Sequence, residues 1–241
     1  MNRKEAGYTQ HISAQYNREL DALKNHLMAM GGLVEKHVAQ AVGALVRGDT
    51  GVAQRILDDD SSVDAMEVSI DEQCARILAR RQPAASDLRL VIAIGKLNTD
   101  LERIGDEAAK IARQAIQLSA SGGRGAPGVA EVHRLGERVC EMLRVALDAL
   151  ARLDAEPALA VVREEEVADL EYGAALRGMV AQMHQEPGQI DRLLNVIWAL
   201  RALERVGDHA RNIAEYVIYL VVGRDVRHLE ASEVAAQLQG G

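Results

Sequence analysis

The chain has 241 residues, 48% of them hydrophobic, and a formal net charge of −8 at pH 7. This acidic balance argues against nucleic-acid binding, because phosphate backbones are held by clusters of Lys and Arg. The two cysteines lack zinc-site spacing, and we find neither a signal-peptide core nor an apolar run of membrane-span length, so we expect a cytoplasmic protein.

Three long amphipathic helices are predicted for the first half of the chain. Apolar residues at alternating steps of three and four cover residues 20–45, and residues 48–50 supply a stop followed by N-cap candidates. A second apolar stripe covers residues 52–77 and ends before the next proline. Ser86 or Asp87 is the expected cap of the third helix. Short connections between three long helices indicate an up-down-up bundle.

The second half repeats this plan, with helices predicted over about 129–153, 157–185 and 188–222. The letters repeat as well, because ERIGD at 102–106 recurs as ERVGD at 204–208. We therefore predict an all-α fold of two pseudo-symmetric three-helix bundles, residues 1–120 and 129–232. A linker at 121–128, the only low-complexity stretch, separates them, and a flexible tail at 233–241 follows.

Pairs of carboxylates four residues apart are the candidate metal ligands. Residues at this spacing share one helix face, with Cβ atoms roughly 5–6 Å apart. If the second and third helices of each half face one another, four carboxylates converge per half, and Glu67 and Asp71 continue the first stripe. We expect Glu204 and Asp208 to be surface ligands outside the core. Oxygen ligands suit Mg²⁺, Mn²⁺ or iron, whereas zinc would prefer His or Cys. The alternative is a solvated acidic surface. The candidate ligands are Asp60, Asp64, Glu102, Asp106, Glu165, Asp169, Glu204 and Asp208.

Two further features leave alternatives open. Gly105 and Gly207 lie mid-helix at a cost of about 1 kcal/mol relative to Ala, which indicates either the close approach of a neighbouring helix or space for bulky ligands around the acids. Arg80, Arg81 and Arg89 flank a helix start, where backbone N–H groups attract anions such as phosphate. Because no Gly-rich cradle is present, ordinary solvated arginines are favoured there.

Three stretches resemble the signatures of the PhoU family: RQPAASDLR at 81–89, DLERIGD at 100–106 and LERVGDHARNIAE at 203–215. The resemblance implies two pseudo-symmetric three-helix bundles, a homodimer, and metal clusters on the paired acids. It also implies two partners, the membrane sensor histidine kinase of the phosphate response and the ATPase subunit of the phosphate ABC transporter. Such an adaptor is not an enzyme; it lets the transporter silence the kinase when phosphate is plentiful.

Local departures from the family pattern predict unequal metal affinity in the two halves. Glu165 stands where Asp is commoner, and Ala202 replaces the acid that Asp100 supplies in the first half. Lys110 stands where Asn212 appears in the second half, and we expect its ammonium group to neutralise part of the first acidic cluster.

Two rival function classes compete with the adaptor. A carboxylate-bridged helical protein with metal-storage or oxidase activity would need Glu-x-x-His patterns on core helices, and the sequence has none. A purely structural helical scaffold without metal is the second. The histidines are scattered, with no Ser or Cys pattern that implies a nucleophile, which argues against an enzyme.

Overall fold

The computed structural model describes residues 3–122, 127–227, 229 and 231–239. Within these residues the secondary structure consists of α-helices and one short 3₁₀ turn, Pro187–Gln189, with no strand, which confirms the all-α prediction. The helices are α1 (Arg3–Arg47), α2 (Thr50–Arg81), α3 (Ala85–Ala120), α4 (Val129–Arg152), α5 (Ala155–Gln185), α6 (Ile190–Val222) and α7 (Ala231–Gln239). In this described part, no helix combines the length and hydropathy needed to cross a bilayer.

The start of α2 follows the sequence prediction. Asp49 is the N-cap, and its carboxylate accepts a hydrogen bond from the Val52 backbone N–H at 3.0 Å. This bond satisfies one of the free N–H groups of the first helical turn.

The predicted cap of α3 at Ser86 or Asp87 is wrong. The helix begins at Ala85, so both residues lie in its first turn, and the N-cap Ala84 makes no side-chain capping bond. The Asp87 carboxylate instead accepts a hydrogen bond from the Tyr16 hydroxyl at 3.0 Å, which ties α3 to α1.

Each half forms a three-helix bundle, α1–α3 and α4–α6, as the internal repeat predicts. The two bundles also pack on each other through α3 against α6 and α1 against α4, so they share one aliphatic core. Gly136 permits the approach of α4 to α1, because a Cβ at this position would lie only 2.6 Å from Val42 Cγ1.

Buried polar groups connect α3 to α6 across the bundle interface. Asp100 Oδ1 lies 2.8 Å from His209 Nδ1 and accepts a hydrogen bond from Asn212 Nδ2 at 2.9 Å. Glu107, also buried, accepts a hydrogen bond from Arg205 Nε at 3.0 Å. Asp100 therefore belongs to this interface, and sequence reasoning missed the contact because its partners lie more than 100 positions away.

The flexible tail predicted at 233–241 is corrected, because residues through Gln239 form α7, which packs against α5. Ala231 and Val234 are buried, so the helix has a small apolar face that α5 covers. Residues 240–241 lie outside the described residues. Of the predicted linker, residues 121–122 and 127–128 are turns, and 123–126 lie outside the described residues.

Candidate metal centres

Three carboxylates converge between α5 and α6. Glu165 and Asp169 on α5 and Asp208 on α6 each offer one oxygen, and these oxygens lie within 4.8 Å of one another. Glu165 is buried, Asp208 is partly buried and Asp169 is exposed. With Glu204 one turn away on α6, these residues form what we call the second-half centre. Glu165 is buried because the hairpin of α5 and α6 closes over it, and Glu204 and Asp208, which were expected at the surface, are only partly exposed.

Glu204 supplies the observation that tests whether the second-half centre fits a cation. Its Oε1 accepts a hydrogen bond from Arg201 Nη1 at 2.5 Å, but its Oε2 is buried and has no hydrogen-bond partner. A buried oxygen without a donor costs about 1–3 kcal/mol, and more when it carries charge. A metal ion would satisfy this oxygen, so the residues present fit a metal.

The shifted carboxyl pKa values of the second-half centre also favour a bound cation. Burial raises the pKa of Glu204 and of Asp208, and the neighbouring carboxylates of Asp208 and Asp169, respectively, raise them further. Burial also raises the pKa of Glu165, although its hydrogen bond to Arg211 opposes the shift. Each raised pKa means that the folded protein disfavours the ionised carboxylate, a cost that a bound cation would relieve.

The first-half centre, which we define as Asp60, Asp64, Glu102 and Asp106, shows the same mutual repulsion. Burial raises the pKa of Asp60, and the negative charges of Asp64 and Asp106 raise it further. Burial also raises the pKa of Glu102, and the negative charge of Asp106 raises it further. The acids of α2 and α3 therefore face one another, although among the described residues no three of them come as close as the trio between α5 and α6.

The acidic stripe of the first half extends along α2 beyond this centre. Burial raises the pKa of Glu67, and the negative charge of Asp71 raises it further. Asn98 on α3 is fully buried and donates hydrogen bonds to Asp71 Oδ1 at 3.0 Å and to the Glu67 backbone carbonyl at 2.9 Å.

The position of Lys110 overturns one expectation. Its Nζ lies 2.8 Å from Glu107 Oε1, and its ammonium group therefore neutralises an acid of the bundle interface and not Glu102 or Asp106. Arg103 is the cation that approaches those two acids, at 3.4 and 3.5 Å, from an exposed position.

A neighbouring helix explains one of the two mid-helix glycines. A Cβ at Gly105 would lie 3.1 Å from Val63 Cγ1, so α2 approaches α3 closely at this point. A Cβ at Gly207 would lie at an ordinary distance of 3.7 Å from Val139 Cγ2 on α4. The structure therefore favours close helix approach over ligand space at Gly105.

Two of the three arginines near the start of α3 contact other groups of the protein, which argues against an anion site and also differs from the solvated arginines that were expected. Arg81 donates to both Glu19 oxygens, at 2.9 and 2.6 Å. The guanidinium of Arg89 stacks over the Tyr219 ring at 5.8 Å.

Arg211 contacts the second-half centre, and sequence reasoning missed this contact. Its Nη1 donates to Glu165 Oε2 at 2.5 Å, and its Nε donates to Glu215 Oε1 at 3.0 Å. A signal was present, because Arg211 follows Glu204 by seven positions and Asp208 by three, which puts it on the same helix face.

Comparison with known proteins agrees with this architecture. The PhoU domain matches residues 27–115 and 132–217, and these two segments contain all eight candidate ligands. The chain belongs to the PhoU family. Among curated relatives, a phosphate-specific transport system accessory protein PhoU homolog of Pseudomonas putida is 56% identical over 232 residues, covering 96% of this chain and 90% of its own. The accessory protein PhoU of Escherichia coli (strain K12) is 40% identical over 230 residues, covering 95% of each chain.

Solved PhoU structures share the fold. The crystal structure of PhoU from Pseudomonas aeruginosa has a TM-score of 0.85 and 56% identity, and covers 87% of this chain and all of that one. The phosphate transport system regulatory protein PhoU from Streptococcus pneumoniae has a TM-score of 0.80 at 29% identity, covering 88% of this chain and 99% of that one. The two-bundle prediction is therefore confirmed.

Proposed function

We propose that the chain is a metal-binding adaptor that negatively regulates phosphate-starvation signalling and phosphate uptake. The observation that carries this proposal is similarity, over almost the whole length of the chain, to proteins named phosphate-specific transport system accessory protein PhoU. In this proposal the chain acts in the cytoplasm as a homodimer. Its partners are the sensor histidine kinase of the phosphate response and the ATPase subunit of the phosphate ABC transporter.

The metal is the part of the proposal that the side chains support. The first-half and second-half centres would each hold a divalent ion or a multinuclear cluster, with Mg²⁺, Mn²⁺, iron or zinc as candidates. The all-carboxylate donor set favours hard and borderline cations. Such an ion would compensate the carboxylates of two helices at once, and would thereby hold α2 to α3 and α5 to α6.

Deletion of the gene in its own host tests the regulatory role. Cells that lack the protein should express phosphate-starvation genes in phosphate-rich medium and should accumulate phosphate, and the intact gene should restore silence. A strain that lacks the kinase as well is the control. If starvation genes stay active without the kinase, the chain does not act through that partner and the adaptor proposal fails.

The clustered carboxylates also favour a second candidate, a protein that stores metal or oxidises it. Ferrous iron added to the metal-free protein in air separates the two functions. Uptake well beyond one small cluster per bundle, or oxygen consumption above that of an iron-only blank, would favour storage or oxidase activity. Saturation at a few ions per chain without oxygen consumption favours the adaptor.

A further inference from the structure

A charged stripe on α6 places Arg211 among acids. Glu204, Asp208, Arg211 and Glu215 follow one another at steps of four, three and four, so they share the helix face that meets α5. The Arg211 side chain is 25% exposed, whereas its two partners, Glu165 and Glu215, are 8% and 6% exposed. The guanidinium group therefore occupies the far end of the second-half centre.

The first half has no equivalent of this contact. The repeat spacing between Glu102 and Glu204 places Ala109 at the position of Arg211. Asp60, the counterpart of Glu165, forms no ion pair within the described part of the chain, and Arg113 affects its pKa only through longer-range charge. Each centre has an exposed arginine near its α3 or α6 acids, Arg103 in the first half and Arg201 in the second, but only the second-half centre has the partly buried pair of Arg211 and Glu165.

We propose that Arg211 is an internal counter-ion that sets the metal affinity of the second-half centre. This inference rests on the proposed metal function. Without metal, the guanidinium group compensates Glu165. A divalent ion that uses Glu165 must compete with this charge-assisted hydrogen bond and approach a fixed positive charge. The second-half centre therefore binds metal more weakly than the first, the reverse of what Lys110 led us to expect.

Manganese titration of metal-free protein tests the role of Arg211. Glu102→Gln and Asp106→Asn are introduced first, so that calorimetry reports mainly the second-half centre. In this background, Arg211→Gln should tighten Mn²⁺ binding roughly tenfold, and Arg211→Lys, which keeps the charge, should stay close to the parent.

Arg144→Gln is the matched control, because Arg144 is an exposed arginine on α4 that pairs with Glu141 and Asp148 away from the centre. Its removal should leave Mn²⁺ affinity unchanged. In Arg211→Gln the metal-free melting temperature should fall, since Glu165 loses its counter-ion, and Mn²⁺ should raise it by more than in the parent.

The outcomes separate this inference from the proposed function. If the parent binds Mn²⁺ and Arg211→Gln binds it equally or more weakly, the counter-ion role is wrong while the metal function stands. If the folded wild-type chain binds no metal, both fail.

A measurement on the wild type covers the case in which Arg211→Gln does not fold. The Nε–H resonance of Arg211, identified by its loss in Arg211→Lys, should shift and exchange faster with water when Mg²⁺ is added. A resonance that does not change while Mg²⁺ binds would overturn the inference.

Discussion

Neutralising the two α6 ligands while keeping their shape should stabilise the metal-free protein. The change is Glu204→Gln with Asp208→Asn. At this spacing the Cβ atoms are roughly 5–6 Å apart, and two carboxylates about 5 Å apart repel by about 3 kcal/mol at an effective dielectric constant of about 20. Arg201 offsets part of this repulsion, and so does the solvent that reaches Asp208. We therefore expect a net gain of about 1–2 kcal/mol.

Thermal unfolding with and without metal measures this gain. For a chain of this size, 1 kcal/mol shifts Tm by about 2–4 °C, so the double variant should melt about 2–8 °C above wild type in chelator. Saturating Mn²⁺ should reverse the order, because ligand at 100 times its Kd adds about 2.7 kcal/mol to a protein that keeps the site.

A matched control uses Glu141→Gln with Asp148→Asn, exposed acids on α4. Surface changes of this kind are usually within about 0.5 kcal/mol. A Glu204 and Asp208 double variant that melts below wild type in chelator would refute the view that these acids repel each other in the metal-free state.

Three further predictions follow from the same structure. Because burial and like charge raise the pKa of Glu204 and of Asp208, the stability that protonation brings is present below the ordinary carboxyl pKa of about 4 and is lost as pH rises through the folded value. The metal-free protein should therefore gain stability from these two carboxyls as pH falls from neutral toward the ordinary carboxyl pKa, and the rise in Tm caused by Mn²⁺ should shrink, as thermal scans at each pH would show. Gly136→Ala should cost about 1–3 kcal/mol in chemical unfolding, since its Cβ would press on Val42, whereas Gly207→Ala should be neutral or stabilising by up to about 1 kcal/mol; equal effects would contradict this. Asp49→Ala should cost about 1 kcal/mol through the lost cap of α2, and no change in the urea midpoint would show that the capping bond contributes nothing.

The helices and their repetition were predictable because both are local properties of the chain. The alternating steps of three and four in α1 reflect which side of one helix is buried, and this needs no knowledge of partners. The spacing of Glu204 and Asp208 likewise defines a shared face before any partner helix is known.

Long-range helix packing was not predictable, and it decided which acid each cation contacts. Lys110 and Arg211 each lie within one turn of an acidic pair, so the local sequence offers both as counter-ions. The packing of α6 on α3 buries Glu107, which accepts a hydrogen bond from Lys110. The packing of α5 on α6 buries Glu165, which accepts a hydrogen bond from Arg211.

The last helix, α7, was missed for a related reason. It has nine residues, and an isolated helix of that length is marginal in water. Its stabilisation comes from the contact of Val234 with the core, which no local pattern in so short a segment reveals.

The ERVGDH segment of α6, residues 204–209, faces two different helices. One change in this segment can therefore disturb both the second-half centre and the bundle interface. Glu204 and Asp208 face α5, while Arg205 and His209, each one position later, contact α3. One residue corresponds to a rotation of about 100°. A single-residue insertion ahead of Glu204 would therefore turn the acids out of the second-half centre and, in the same step, turn the polar contacts out of the bundle interface. Insertions and deletions should therefore be tolerated only in the loops that precede and follow α6, even where point substitutions on either face of the helix are accepted.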